Sequence, residues 1–388
     1  MNTKRVLLVS SNSSGRGGGE RYLVFLSEGL RSLGFEVHAL LGSMAYMNSW
    51  AQDLLSVGVQ VHRRPLKGLA QRPLRFIQAL RDKKQIDRVT ELCCEVEPDA
   101  ILVNQQYDED GLDYLKGALK AKIAPVVGVI HMPMTEGKNK RPLGALRGNF
   151  LRRWYLDNSY RLILVSEGAQ QEFESYYPAP RPTAVVNNAT PLGAVAHYKR
   201  EKANASDGLV IGFVGQLVPQ KNLSCLLDAW HMARSSGFDC RLLLVGDGPE
   251  RATIERRLNS MAPSHSWNIT GWLAQPEEWL NKMDLFMLSS HFEGLPLSLV
   301  EAAGRGIPSV VAPFNGATDV ARHAHWVKVA DNHSAEAIGS LLIKTLKEWD
   351  NKVPVSESDL LSFCEHFSLK RMASEVAVVM GLDEHTCE

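Results

Sequence analysis

Short apolar runs alternate with longer stretches of helical spacing along both halves of the chain. Residues 6–10 read as a first strand, 20–32 as a helix and 36–41 as a second strand; 100–103, 126–130, 162–165 and 184–186 read as further strands. These runs are nearly continuous in Val, Ile and Leu rather than alternating, as in strands covered on both faces. The same rhythm restarts at 209–214 and continues through 242–245, 268–271, 285–288 and 309–311, with helical patterns at 334–350 and 369–380. Strand-then-helix repetition predicts an α/β fold with two Rossmann-like, doubly wound parallel sheets. Residues 190–208 break the pattern, being polar and aperiodic. The expected organisation is therefore a first domain over 1–190, a linker over 191–208 and a second domain over 209–365.

Composition sharpens this picture in three places. A chain of 388 residues is long enough for two domains with separate cores. No stretch has the uncharged apolar length of a membrane span, and residues 1–11 carry no cleavage signal, so a cytoplasmic location is expected. The six cysteines show neither C-x-x-C nor Cys/His ligand spacing, which argues for reduced thiols and against structural zinc. The overall charge is zero, yet residues 1–190 hold 25 Lys+Arg against 19 Asp+Glu. Two stretches carry most of that excess, Arg63 to Arg88 and Lys138 to Arg161, where basic residues interleave with Leu, Phe, Trp and Tyr. Such a surface suits anionic lipid head groups, and equally suits amphipathic helices whose basic face is merely solvated. Nucleic acid is the weaker partner, because no recognition module is present and the second half is acidic.

The chemistry concentrates in His291-Phe-Glu-Gly-Leu-Pro-Leu-Ser-Leu-Val-Glu301, a loop between an apolar run and a helical segment. Glu293 lies in the loop and Glu301 about one turn into the helix. Paired glutamates at this spacing are common on solvated surfaces; the loop around them is what points to a site. A new helix leaves backbone N–H groups near Leu295 to Leu299 that favour a phosphate or sugar hydroxyl, and Glu301 is placed to accept bonds from a ribose diol. Gly15 to Gly19 follows the first strand and precedes a helix, so its backbone can approach a ligand closely, although it lacks a dinucleotide fingerprint and a P-loop lysine.

The glutamate segment resembles the E-x7-E motif of the retaining glycosyltransferases of family 4, which have the two-domain GT-B fold. Gly212-Phe-Val-Gly-Gln-Leu-Val-Pro-Gln-Lys221-Asn222, Leu242-Leu-Leu-Val-Gly-Asp-Gly-Pro-Glu250 and Ala303-Gly-Arg-Gly-Ile-Pro308 resemble other landmarks of that family's donor domain, in the same order. Gly17-Gly-Gly-Glu-Arg21 extends the resemblance to the amino-terminal half. The resemblance implies a nucleoside diphosphate sugar as donor, a site in the cleft between domains, and a carboxy-terminal helix within 366–388 that completes the first domain. It also implies roles: Glu293 and His131 at the transferred sugar, Lys221 at the leaving diphosphate, Glu301 at the ribose. Gly17, Gly18, Gly19, Gly215, Gln216, Gly294, Leu295, Pro296 and Leu297 would line the donor.

The expected reaction is transfer to an acceptor hydroxyl with retention, on a glycan or lipid-linked acceptor, with no obligatory metal because the loop lacks a clear Asp-x-Asp element. A basic surface would place the protein peripherally at the inner face of the membrane. Gln216 stands where the family usually has an arginine, so Arg16, Arg21 or Arg305 would have to substitute or leaving-group stabilisation would be weaker. Two further departures are Asn187-Asn188-Ala189 and Asp319, and Ser166-Glu167 matches an acceptor-side loop weakly. A sugar-nucleotide epimerase of the same fold and a silent sugar-nucleotide-binding scaffold are the alternatives.

Overall fold

The computed structural model describes residues 3–10, 17–67, 82–133, 144–158, 160–177, 183–192, 208–273, 275–348 and 355–382. It forms two compact units, Met1–Ala189 with Ser368–Glu388, and Thr190–Phe367.

The first unit is built on a seven-stranded sheet: β1 (Arg5–Ser10), β2 (Glu36–Gly42), β3 (Gln60–Arg64), β4 (Ala100–Tyr107), β5 (Val126–Met132), β6 (Arg161–Leu164) and β7 (Thr183–Val185). All neighbours pair in parallel, in the order β3-β2-β1-β4-β5-β6-β7. The order reverses between β1 and β4, which opens a crevice at their carboxyl ends. Strand residues such as Leu7, Val9, Ile101, Val103 and Ile130 are fully buried, as the continuous apolar runs require. The helix Leu369–Met380 packs against the helix Gly18–Ser32 at Gly29, where a Cβ would come within 2.6 Å of the Leu369 carbonyl oxygen. Arg161 Nη1 donates to the Val379 carbonyl at 2.7 Å and Arg371 Nη2 to that of Asn187 at 2.9 Å, which fixes the returning helix to this sheet.

The second unit carries β8 (Leu209–Val214), β9 (Cys240–Val245), β10 (Trp267–Ile269), β11 (Leu285–Leu288), β12 (Ser309–Val311) and β13 (Val327–Val329), in the order β10-β9-β8-β11-β12-β13. Its reversal falls between β8 and β11. Trp230, fully buried on the helix Leu223–Ser235, anchors that helix by donating from Nε1 to the Cys240 carbonyl at 3.3 Å. Thr190 and Leu192 already belong to this unit, with Leu192 filling the space over Gly304; residues 193–207 of the expected linker lie outside the described residues.

Two strands were not expected from the sequence pattern. β3 (QVHRR) and β13 (VKV) both lie at sheet edges, where polar side chains and short length mask the apolar signal. β3 also takes Arg63 and Arg64 out of the first basic stretch. Arg63 donates to the carbonyls of Gly42 and Met44, and Arg64 pairs with Glu95 at 2.6 Å.

Candidate functional site

In the second unit, the loops that leave β8 and β11 are joined backbone to backbone. Asn222 takes a left-handed conformation (φ 48°), turning the chain sharply into the helix Leu223–Ser235. The buried Ser289 hydroxyl, just past β11, lies 2.9 Å from the carbonyls of both Lys221 and Asn222. His291 N donates to the Gln220 carbonyl at 2.9 Å, and Gln220 Nε2 returns a bond to that of Phe292 at 2.9 Å. This stitching holds Lys221 opposite Glu293, and Lys221 Nζ lies 2.5 Å from Glu293 Oε1. Their side chains are only 15% and 9% exposed, so the pair is screened far less than a surface pair.

The loop after β9 closes the other side. Gly246 (φ 145°) lies directly against the Gly215 carbonyl, leaving no room for a Cβ, and Gly215 N donates to the Val245 carbonyl at 3.0 Å. The Lys221 stem passes over Gly215, its Cε 3.5 Å from where a Cβ would stand. Gln216 is exposed. Gly294 and Leu295 are backed by Gly316, where a Cβ would approach the Leu295 Cα within 2.7 Å.

Pro296 precedes the helix Leu297–Ala303, which buries Leu297 and Glu301. The sequence suggested that the first amides here face a ligand. One of them does not: Leu299 N donates to the Pro296 carbonyl at 3.1 Å. A helix of seven residues also has a small dipole. Arg305 directs Nη1 to the Glu301 carbonyl at 2.9 Å, and Arg21 lies over the Phe25 ring; Arg16 is outside the described residues, as is Gly15.

In the first unit, Gly17, Gly18 and Gly19 stand where the helix Gly18–Ser32 begins, beyond β1. At Gly19 an added side chain would have to displace the end of Gln106. A Cβ there would meet Gln106 Oε1 at 2.8 Å and His131 Cδ2 at 3.8 Å. Asn104, buried near the end of β4, donates from Nδ2 to the Gly19 carbonyl at 3.2 Å, and its Oδ1 lies 2.7 Å from His131 Nε2. With Oδ1 as acceptor, the proton of neutral His131 sits on Nε2 and the lone pair on Nδ1. Burial lowers the His131 pKa from 6.5 to about 4, so the ring is neutral at neutral pH. Tyr22 packs edge-on against it at 4.8 Å between centroids. Glu20 is buried too, and its carboxylate accepts the Gly17 N–H at 2.8 Å. Burial raises its pKa from 4.5 to about 7, the bond from Gly17 opposing that shift and nearby Asp110 adding to it.

The structure thus groups Gly17, Gly19 and His131 in one unit, and Gly215, Lys221 and Glu293 in the other. Glu20 and Asn104 carried no assigned role in the sequence reading. The available signals are faint: Asn104 directly follows the apolar run 100–103, and Glu20 lies inside Gly17-Gly-Gly-Glu-Arg21. Ser166 is the N-cap of the helix Glu167–Tyr176, its Oγ accepting from Ala169 N at 3.1 Å. No group of three or more metal-ligating side chains occurs among the described residues.

Family models for the group 1 glycosyl transferases and for Glycosyltransferase Family 4 match residues 208–348 and 16–193 respectively. The chain belongs to the group 1 glycosyltransferases, and its two parallel-sheet α/β units are the GT-B architecture. The amylovoran biosynthesis glycosyltransferase AmsD of Erwinia amylovora is 32% identical over 97 residues, which cover 25% of this chain and 27% of AmsD. The D-inositol 3-phosphate glycosyltransferase of Segniliparus rotundus is 30% identical over 209 residues, 49% of this chain and 44% of that one. Each match therefore spans less than half the length of these curated relatives. In fold, the chain is similar to Anabaena HepE, solved in complex with UDP and glucose, with a TM-score of 0.72 at 15% identity, covering 97% of this chain and 99% of HepE.

Proposed function

We propose that this protein transfers a sugar from a nucleoside diphosphate sugar to an acceptor hydroxyl with retention of anomeric configuration. The observation that carries this reading is the buried Lys221–Glu293 pair, held at the carboxyl ends of β8 and β11 where the strand order reverses. Lys221 neutralises the diphosphate as the bond from the anomeric carbon to the diphosphate oxygen breaks. The acceptor oxygen forms the new bond on the same face and its proton passes to the leaving diphosphate. Glu293 holds hydroxyls of the transferred sugar, Glu301 accepts from the ribose diol, and the amides of the Gly294–Leu295 turn complete the shell. Neutral His131, its N–H held by Asn104, can accept a hydrogen bond from a sugar hydroxyl at Nδ1 without adding charge. No metal is required in this scheme.

The acceptor is a polysaccharide precursor or lipid-linked glycan, a reading supported by the amylovoran biosynthesis role in the name of AmsD. The chain would work in the cytoplasm, peripherally on the inner face of the membrane. No described helix is long and apolar enough to cross a bilayer. On the helix Gly144–Asp157, Leu146 and Arg153 are exposed seven positions apart and suit an anionic surface, although Arg153 also pairs with Asp157 and the exposed Arg152 is bonded to the Tyr176 carbonyl. Residues 138–143 of that basic stretch and 68–81 of the other lie outside the described residues. The test is transfer of label from UDP-, GDP- and ADP-sugars to lipid-linked glycan acceptors by wild type and Glu301→Ala. Transfer by wild type that is lost in the variant supports the reading, and donor-independent inactivity of both contradicts it. Flotation with anionic and zwitterionic vesicles tests the membrane contact, which a lack of preference would rule out.

A further inference from the structure

Lys221 Nζ and Glu293 Oε1 face each other at 2.5 Å in a largely buried ion pair. A lysine meant only to bind phosphate gains nothing from a buried carboxylate that competes for it. A carboxylate meant only to bind sugar hydroxyls likewise loses acceptor capacity to the ammonium. The mutual pairing therefore needs its own account.

We propose that the Lys221–Glu293 pair is a displaceable latch through which the site discriminates a complete nucleotide sugar from a bare nucleoside diphosphate. The inference rests on the nucleotide-sugar reading of this site. When the complete donor enters, Lys221 passes from the carboxylate to the diphosphate, and Glu293 turns to the sugar hydroxyls. Both halves of the broken pair regain a partner. A bare diphosphate also draws Lys221 away, but it brings no sugar hydroxyl for Glu293. The carboxylate is then left buried beside added negative charge, a state that desolvation and like-charge repulsion both penalise. After transfer the product is such a diphosphate, so re-formation of the pair helps to expel it.

Three observations support exchange over a fixed structural bridge. The backbones on both sides are already tied together without the pair, through His291 N to Gln220 and through Gln220 Nε2 to Phe292. Ser289 independently holds the carbonyls of Lys221 and Asn222. Only side-chain rotation is needed to open the latch, and the loops keep their place. The neighbouring position that commonly supplies a second cation is Gln216, so Lys221 has no arginine beside it on this loop to share the phosphate charge.

The test measures affinity for UDP, GDP and ADP by calorimetry, together with transfer from the matching nucleotide sugar, in wild type, Glu293→Gln and Glu293→Asp. Glutamine keeps the shape and removes the competing charge; aspartate keeps the charge but shortens the reach. The latch predicts that Glu293→Gln binds the preferred nucleoside diphosphate about tenfold more tightly than wild type while transfer falls. Glu293→Asp should tighten it by a smaller factor, which keeps the test alive if the glutamine variant does not fold. Unchanged or weaker diphosphate affinity in the folded variants overturns the latch and leaves the nucleotide-sugar reading standing. If wild type binds none of the three nucleotides, that reading fails and the latch with it.

Discussion

The polar clusters at the carboxyl ends of the two sheets manage charge in opposite ways. In the first unit, burial is the largest influence on both Glu20 and His131, and it drives each toward its neutral form. In the second, Lys221 and Glu293 are nearly as buried and are paired directly with each other. A cluster whose members are pushed toward their neutral forms presents hydrogen bonds of fixed direction with a weaker field than an ion pair. A paired cluster holds a field in reserve, to be redirected when a charged ligand displaces one partner. Under the proposed function, the first suits a sugar or acceptor and the second suits a diphosphate.

The strongest way to break this contrast is Lys221→Ala, which leaves Glu293 unpaired and removes the proposed charge at the leaving group. A loss of about 10²–10³-fold in the transfer rate is expected, the scale of a deleted transition-state donor, and initial rates at saturating donor check it. Replacement of His131 by Gln should cost less, because a neutral ring supplies one hydrogen bond and no charge.

The next effect concerns stability against pH. The folded-state pKa of Glu20 is about 7 against 4.5, so the native chain binds more protons than the unfolded chain in that window and stability falls as pH rises through it. Above pH 7 the whole penalty remains, and Glu20→Gln should recover up to about 3 kcal/mol there. His131 has the opposite sign. Its pKa of about 4 against 6.5 means that the unfolded chain binds more protons between those values, so stability rises with pH across them. The two slopes oppose each other between pH 4.5 and 6.5. Thermal melts from pH 4 to 8 should therefore show a steeper rise in Glu20→Gln than in wild type, and a net fall in His131→Gln over the shared window. Parallel profiles in all three proteins would contradict the account of this cluster.

Smaller again is Asn104→Leu, which deletes the bonds to His131 and to the Gly19 carbonyl. It should cost about 1–3 kcal/mol and raise the donor KM more than it lowers kcat, as checked by denaturant melts and steady-state kinetics. Ser166→Ala, which removes the cap of the helix Glu167–Tyr176 in the first unit, should cost about 1 kcal/mol, read from denaturant melts.

Much of this was legible in the sequence, for identifiable reasons. Buried parallel strands advertise themselves as continuous apolar runs, so β1, β4, β5, β8, β9 and β11 stand out. β3 and β13 do not, since edge strands carry polar residues such as Arg63, Arg64 and Lys328. Lys221 and Glu293 were singled out separately by loop position and resemblance, but nothing in their separation of 72 positions shows that they touch. That contact is held by bonds from Ser289, which lies in no motif, and from Gln220, which sits in a quoted landmark but had no role assigned. Glu20 and Asn104 were equally hidden, because their significance lies in burial and, for Asn104, in partners far along the chain at Gly19 and His131. The amide of Leu299 was misread because the first turn after Pro296 bonds to itself.

The most direct test of a nucleotide site in the second unit is a thermal-shift panel of UDP, GDP, ADP and CMP on wild type, Glu301→Ala and Lys221→Ala. The account predicts a base-selective rise in Tm for wild type, lost or strongly reduced in both variants. No rise with any nucleotide, or a rise that both variants retain in full, would contradict it.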